Sequence, residues 1–354
     1  MNETQQSAAA KFLLYSAAFV IVVAGMKAAE SLLVPFLLSV FIAVICSPPL
    51  AWLHKKGVPY PLAILVIIGV VVIFGVLVGA VVGASVNSFS QDLPEYQTKL
   101  KTLTGSFMQW LAGLGVNLSD THLKDSFNPN TAMSMVGATL ASLGNVMGNA
   151  FMILLTVVFI LAEESVFYDK LRAASGNAGK TSAAVERFSN SINRYMALKT
   201  LISLLTGVLI TIWLWILGVD YAALWGMIAF LLNFVPNLGS IIAAVPAVLL
   251  AIIQLGTGHA IMTAAGYIAV NVFIGNVLEP RFMGKGLDLS TLVVFLSLVF
   301  WGWVLGPVGM LLSVPLTMTL KIAFESFDET RWLAVVLGSG AGLATAEQSP
   351  EVES

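Results

Sequence analysis

At 354 residues, with 58% hydrophobic and only 10% charged side chains and a mean hydropathy of +0.91, the chain departs from a water-soluble domain, in which charged residues make up about a quarter. A formal charge of −2 leaves no basic face to displace counterions from a phosphate backbone, which excludes a nucleic-acid partner. One cysteine, Cys46, excludes an internal disulfide, and three dispersed histidines (His54, His122, His259) form no metal-ligand cluster, so neither a metal nor another cofactor is expected.

The composition points to the all-α class: a polytopic helical integral membrane protein with about eight hydrophobic segments. Six apolar stretches, at 12–29, 31–50, 61–86, 149–164, 199–218 and 259–279, approach the length of about 20 residues that crosses a bilayer. Lys11 followed by Phe12–Met26 has the outline of a signal peptide. Another apolar segment, 31–46, follows at once across Lys27 and Glu30, so an uncleaved first helix is expected. Pro35 and the Pro48-Pro49 pair predict a second helix that is kinked and ends early.

Lysine and arginine set the orientation. His54-Lys55-Lys56 follows the second helix, and Lys170, Arg172, Lys180, Arg187 and Arg194 lie between the fourth and fifth, so both loops and both termini are expected in the cytoplasm. Residues 1–86 then read as scaffold helices carrying oligomer contacts. Residues 87–148 read as an extracytoplasmic helical segment, with Leu103, Phe107, Trp110, Leu111 and Leu114 at helical spacing. The transport region is 149–322 with a cytoplasmic loop at 165–198, and a polar cytoplasmic tail occupies 323–354.

Two apolar runs in the transport region, 221–254 and 290–320, are interrupted by proline and glycine. The first reads NFVPNLGS at its break and the second WVLGPVG, and each reaches a Val-Pro pair shortly afterwards. Proline removes a backbone donor and glycine permits non-helical dihedrals, and in a bilayer such breaks survive only where protein or a water-filled cavity covers them. Each arm of run 221–254, at about 15 residues or roughly 23 Å, is short for a crossing, so a re-entrant hairpin is expected. Placing Arg281 and Lys285 in the cytoplasm makes the second hairpin opposite in orientation to the first, as in an inverted repeat. The substrate path is accordingly expected at Asn233, Pro236, Asn237, Gly239 and Ser240 in the first break and at Gly306, Pro307 and Gly309 in the second. Amides and a hydroxyl beside unwound backbone suit a small neutral ligand, although the same groups could cap the half-helices.

Segment 259–279 carries Tyr267, Asn271, Gly275 and Glu279 at four-residue spacing, with Asn276 adjacent, which places a polar stripe on one helix face. Asn271 and Asn276 are candidates for the path, and polar glue between helices is the competing role. Glu279, followed by Pro280-Arg281, is expected to pair with Arg281 or to take part in coupling. Ala174–Thr181, ASGNAGKT, fits a relaxed phosphate-loop pattern, but a charged, helix-like stretch precedes it where a true phosphate loop needs a strand. No H-E-x-x-H motif is present, and Ser240 lacks a nucleophile context, so the protein is not expected to be an enzyme.

The stretch Asn276–Leu320, together with WGMIAFLL before NFVPNLGS, Val34-Pro35-Phe36, Ser47–Pro49, Asp92–Tyr96 and Leu198-Lys199-Thr200, resembles the autoinducer-2 exporter family over nearly the whole chain. The resemblance implies a multi-pass carrier of the bacterial inner membrane that exports autoinducer-2, a small furanone-derived polyol. It also implies a homo-oligomer, pentameric in similar proteins, embedded in membrane lipids. Other members of the family are linked to sodium–proton exchange. Alternating access, with the hairpin-bearing unit moving against a scaffold of helices one to three, is the expected mechanism; cation–proton antiport and a non-transporting scaffold are the alternatives.

Overall fold

The structure, a computed structural model, describes residues 8–114, 149–174, 178–236, 238–283, 289–325 and 330–339. Every regular element among them is helical, and the protein is a polytopic helical membrane protein. Large apolar side chains such as Ile21, Phe151 and Trp215 are more than two-thirds exposed on the chain, which in this class of protein is the surface that lipid solvates. The chain divides into two compact units, 1–42 with 287–354, and 43–286.

In the first unit, α1 (Ala8–Ala28) closes on Lys27 and α2 (Glu30–Lys55) opens on Glu30, each charge complementing its helix dipole. The unit also holds the early part of α2, α10 (Thr291–Glu325) and the short α11 (Arg331–Leu337). Its core joins Val23 of α1 to Trp301, Val304 and Leu305 of α10, with Val34 and Leu37 of α2 packed alongside. The early end expected for the second helix does not occur: α2 runs through Pro35, Pro48 and Pro49 to Lys55. Each proline removes one donor, but in a bilayer a helix keeps the remaining groups satisfied within the segment, and that favours continuation.

The second unit contains the rest of α2, then α3 (Tyr60–Gly113), α4 (Ala150–Ala174), α5 (Ala178–Leu217), α6 (Ala222–Leu232), α7 (Gly239–Leu255) and α8 (Thr257–Phe273). A π-helical turn, Ile274–Leu278, joins α8 to α9 (Glu279–Met283). At 54 residues α3 is about 80 Å long, so it cannot lie wholly within about 30 Å of hydrocarbon; its polar half, from residue 87, continues the same helix. The core of the unit gathers Val82, Phe89 and Tyr96 of α3, Ile210 and Leu214 of α5, Trp225 of α6, Ala247 and Leu250 of α7 and Tyr267 of α8.

Candidate functional site

Run 221–254 folds back on itself. At its open end Asp220 N–H donates to Gln254 Oε1 (3.0 Å) and Gln254 Nε2 donates to Gly218 O (3.2 Å), tying the entry of α6 to the exit of α7. Trp225 Nε1 adds a bond to Asp220 O (3.0 Å). The same corner is held to α3 by two phenols: Tyr96 OH donates to Asp220 Oδ2 (2.8 Å) and Tyr221 OH to Asp92 Oδ2 (2.6 Å). Tyr221 adopts a left-handed backbone, φ 59°, an uncommon state for a bulky side chain that these bonds hold in place. Burial, and then the bond to Asp92, push its phenol up to about 12, so it is a donor at neutral pH.

At the closed end Asn233 ends α6 and is buried, its Nδ2 donating to Ser203 Oγ of α5 (2.9 Å). The backbone through the break is largely satisfied by tight local bonds, Phe234 N to Leu231 O, Val235 N to Leu232 O and Gly239 N to Val235 O among them. These backbone donors are therefore spent within the chain. Gly239 is buried where the chain reverses, and a Cβ there would collide with the Leu232 carbonyl. Pro236 and Ser240 are half-buried beside it. Asn237 lies outside the described residues.

The second run also doubles back, at Gly306 (φ 64°, ψ −154°) within α10. In a continuous helix Ser297 and Thr317 would stand about 30 Å apart. Here Thr317 Oγ1 donates to Ser297 Oγ (2.8 Å), Ser297 Oγ donates to Ser313 O (3.1 Å) and Trp301 Nε1 donates to Thr317 Oγ1 (3.1 Å). The first arm ends at this bend, so the carbonyl of Trp303 in its last turn has no helical N–H to receive, and exposed Pro307 beyond the bend carries none. Lys27 of α1 fills that vacancy, its Nζ donating to Trp303 O (2.6 Å) while pairing with Glu30 (3.6 Å). Gly309 is buried against Trp301 and Leu305.

The polar stripe on α8 does not survive as a stripe. Tyr267 is buried, whereas Asn271 and Asn276 are exposed on the chain. The π turn closes with an N–H···O bond from Glu279 to Ile274, five residues back, so the winding there is wider than the four-residue spacing assumes. That turn delivers Glu279 to α5, where it pairs with the buried Lys199. Arg281 is exposed. Lys199 was legible only as part of a family motif: its partner stands 80 residues away and depends on the π turn.

Three of the eight residues of the phosphate-loop look-alike, 175–177, lie outside the described residues; helix α4 leads into it, ending on its first residue Ala174, where a phosphate loop requires a strand, and α5 begins within it. Among the described residues no three His, Cys, Asp or Glu side chains gather as a metal site.

Residues 17–329 match the model of the AI-2E family transporter. The chain belongs to the AI-2E transporter family. It is 39% identical, over 92% of its length and 95% of the relative's, to the AI-2 transport protein TqsA of Escherichia coli. A Haemophilus influenzae protein, described as a transport protein by inference, is 42% identical over the same shares of both chains. YrrI of Bacillus subtilis, described in the same way, is 28% identical over 85% of this chain and 88% of its own. Members of the AI-2E family are transport proteins, and this chain is a transporter, not an enzyme.

Proposed function

We propose that this transporter is a secondary carrier that exports a small neutral polar signal, most simply autoinducer-2, across the bacterial inner membrane by alternating access. The observation that carries the proposal is the pair of folded-back helical runs, α6–α7 and the two arms of α10, in a member of the AI-2E family. Paired broken helices are the usual construction of a carrier's solute path. In this reading both runs are re-entrant, opposite in orientation, and both termini are cytoplasmic. The first break offers an amide and a hydroxyl, Asn233 and Ser240, without a charged side chain, which suits a neutral polyol. The tied ends join α6, α7 and the α3 corner, which would move together.

The apolar half of α3 is left almost wholly uncovered by the chain, and neighbouring copies in a homo-oligomer, a pentamer by family resemblance, would share that surface with lipid. The Lys199–Glu279 pair favours a second reading, cation–proton antiport, because an ionisable pair at the end of spanning helices can exchange protons. Counterflow tests the carrier. Unlabelled autoinducer-2 outside reconstituted vesicles should accelerate exit of the labelled molecule, without ATP, whereas no acceleration and no saturation would contradict alternating access.

A further inference from the structure

Two hydroxyl groups on α8, Thr263 Oγ1 and Tyr267 OH, are buried with no hydrogen-bond partner among the described residues. They stand four residues apart and so share a helix face, and their residues are 0% and 4% exposed. Desolvating a hydroxyl without pairing it is unfavourable, and a helical threonine has a ready remedy in the carbonyl four residues back. Thr206 and Thr211 on α5 both use it, with bonds to Ile202 O and Gly207 O. Thr263 does not.

The buried face of α8 packs on α7 and α5, with Trp213 of α5 at its flank donating to Met262 O (3.1 Å). α7, which packs on α8, buries a small residue at every fourth position: Gly239, Ala243, Ala247 and Ala251. Neither α7 nor α8 contains Asp, Glu, Lys or Arg. The packed pair α7–α8 thus holds two buried oxygens that can each donate and accept, with no charged side chain on either helix to select an ion.

We propose that Thr263 and Tyr267 are solute-binding groups: they bond the hydroxyls of a small neutral polyhydroxylated molecule when hairpin α6–α7 draws back from α8. This inference rests on the transporter reading and gives it a site on α8 in addition to the first break. In the present arrangement both groups are buried where α8 packs on α7 and α5, and in the proposal the small side chains of α7 set the width of the path once it opens.

Three measurements on the full-length reconstituted protein test it. Tyr267→Phe and Thr263→Val each remove one oxygen and keep the shape, so each should lower autoinducer-2 flux about two- to tenfold while the melting temperature stays level or rises. Wild-type flux in both, or a lowered melting temperature that accounts for the lost flux through a hidden structural bond or buried water, overturns the proposal. Thr263→Cys on a Cys46→Ser background should react with methyl methanethiosulfonate in bilayers, because a thiolate forms only where water reaches it. Absence of reaction over hours also overturns it. If the wild type carries no autoinducer-2 at all, the substrate reading fails by itself, and thiol reactivity and the melting temperatures decide this inference.

Discussion

A lysine buried in a spanning helix is tolerable only when its charge is matched, and Lys199 is matched by Glu279. Removing one partner strands the other. Lys199→Met should cost about 3 kcal/mol, the low end for a buried pair because Glu279 is partly exposed, and Lys199→Met with Glu279→Leu should recover most of it. Denaturant titration in detergent measures both, and a double variant no better than the single would mean that the pair does not act as a unit. The Tyr221 phenol carries a pH signature. Its folded pKa of about 12 lies above the ordinary value of 10.0, so the folded state holds the proton longer. That contribution to stability is intact below about pH 10 and declines as pH rises from 10 toward 12. Tyr221→Phe should flatten this alkaline decline in a melting-temperature series. Little of this was legible in the sequence: Lys199 and Glu279, or Asp92 and Tyr221, are far apart along the chain, and only the π turn and the α3 corner bring them together.

Both breaks were legible from proline and glycine because those residues act locally, on a donor and on a dihedral. What fills the vacancies was not. Lys27 serves the Trp303 carbonyl that the bend at Gly306 leaves free, and nothing near position 303 announces it. The proline pair in α2 misled for the converse reason: a local signal was outweighed by the demand of a long apolar helix for internal hydrogen bonds. The fold-back of α10 has a sharp test. Ser297→Cys with Thr317→Cys, on a Cys46→Ser background, should form a disulfide under mild oxidation, since the native oxygens are 2.8 Å apart. A straight helix would hold the two thiols about 30 Å apart and give no cross-link. Gly239→Leu should splay the first hairpin, because its side chain would drive into the Leu232 carbonyl, and transport should fall with protein that still inserts in the membrane.

For the whole molecule, hydropathy alone was enough to identify a multi-pass helical protein, because lipid leaves a chain few other ways to satisfy its backbone. The pairing of the first helices with the last helical run in one compact unit had no counterpart in the sequence, since contacts between distant apolar segments leave no local pattern. Orientation is testable directly: on a Cys46→Ser background, cysteines at Lys180 and Lys285 should label only from the cytoplasm and one at Lys101 only from outside. External labelling at position 285 would remove the two re-entrant hairpins of opposite orientation. The central claim, a carrier for a neutral signal in a family whose members are transport proteins, turns on which solute crosses. Labelled autoinducer-2 efflux and sodium-driven proton movement should therefore be recorded on one batch of proteoliposomes. Saturable autoinducer-2 efflux without proton movement on adding sodium is the expected result; sodium-driven proton movement with no autoinducer-2 flux would contradict it.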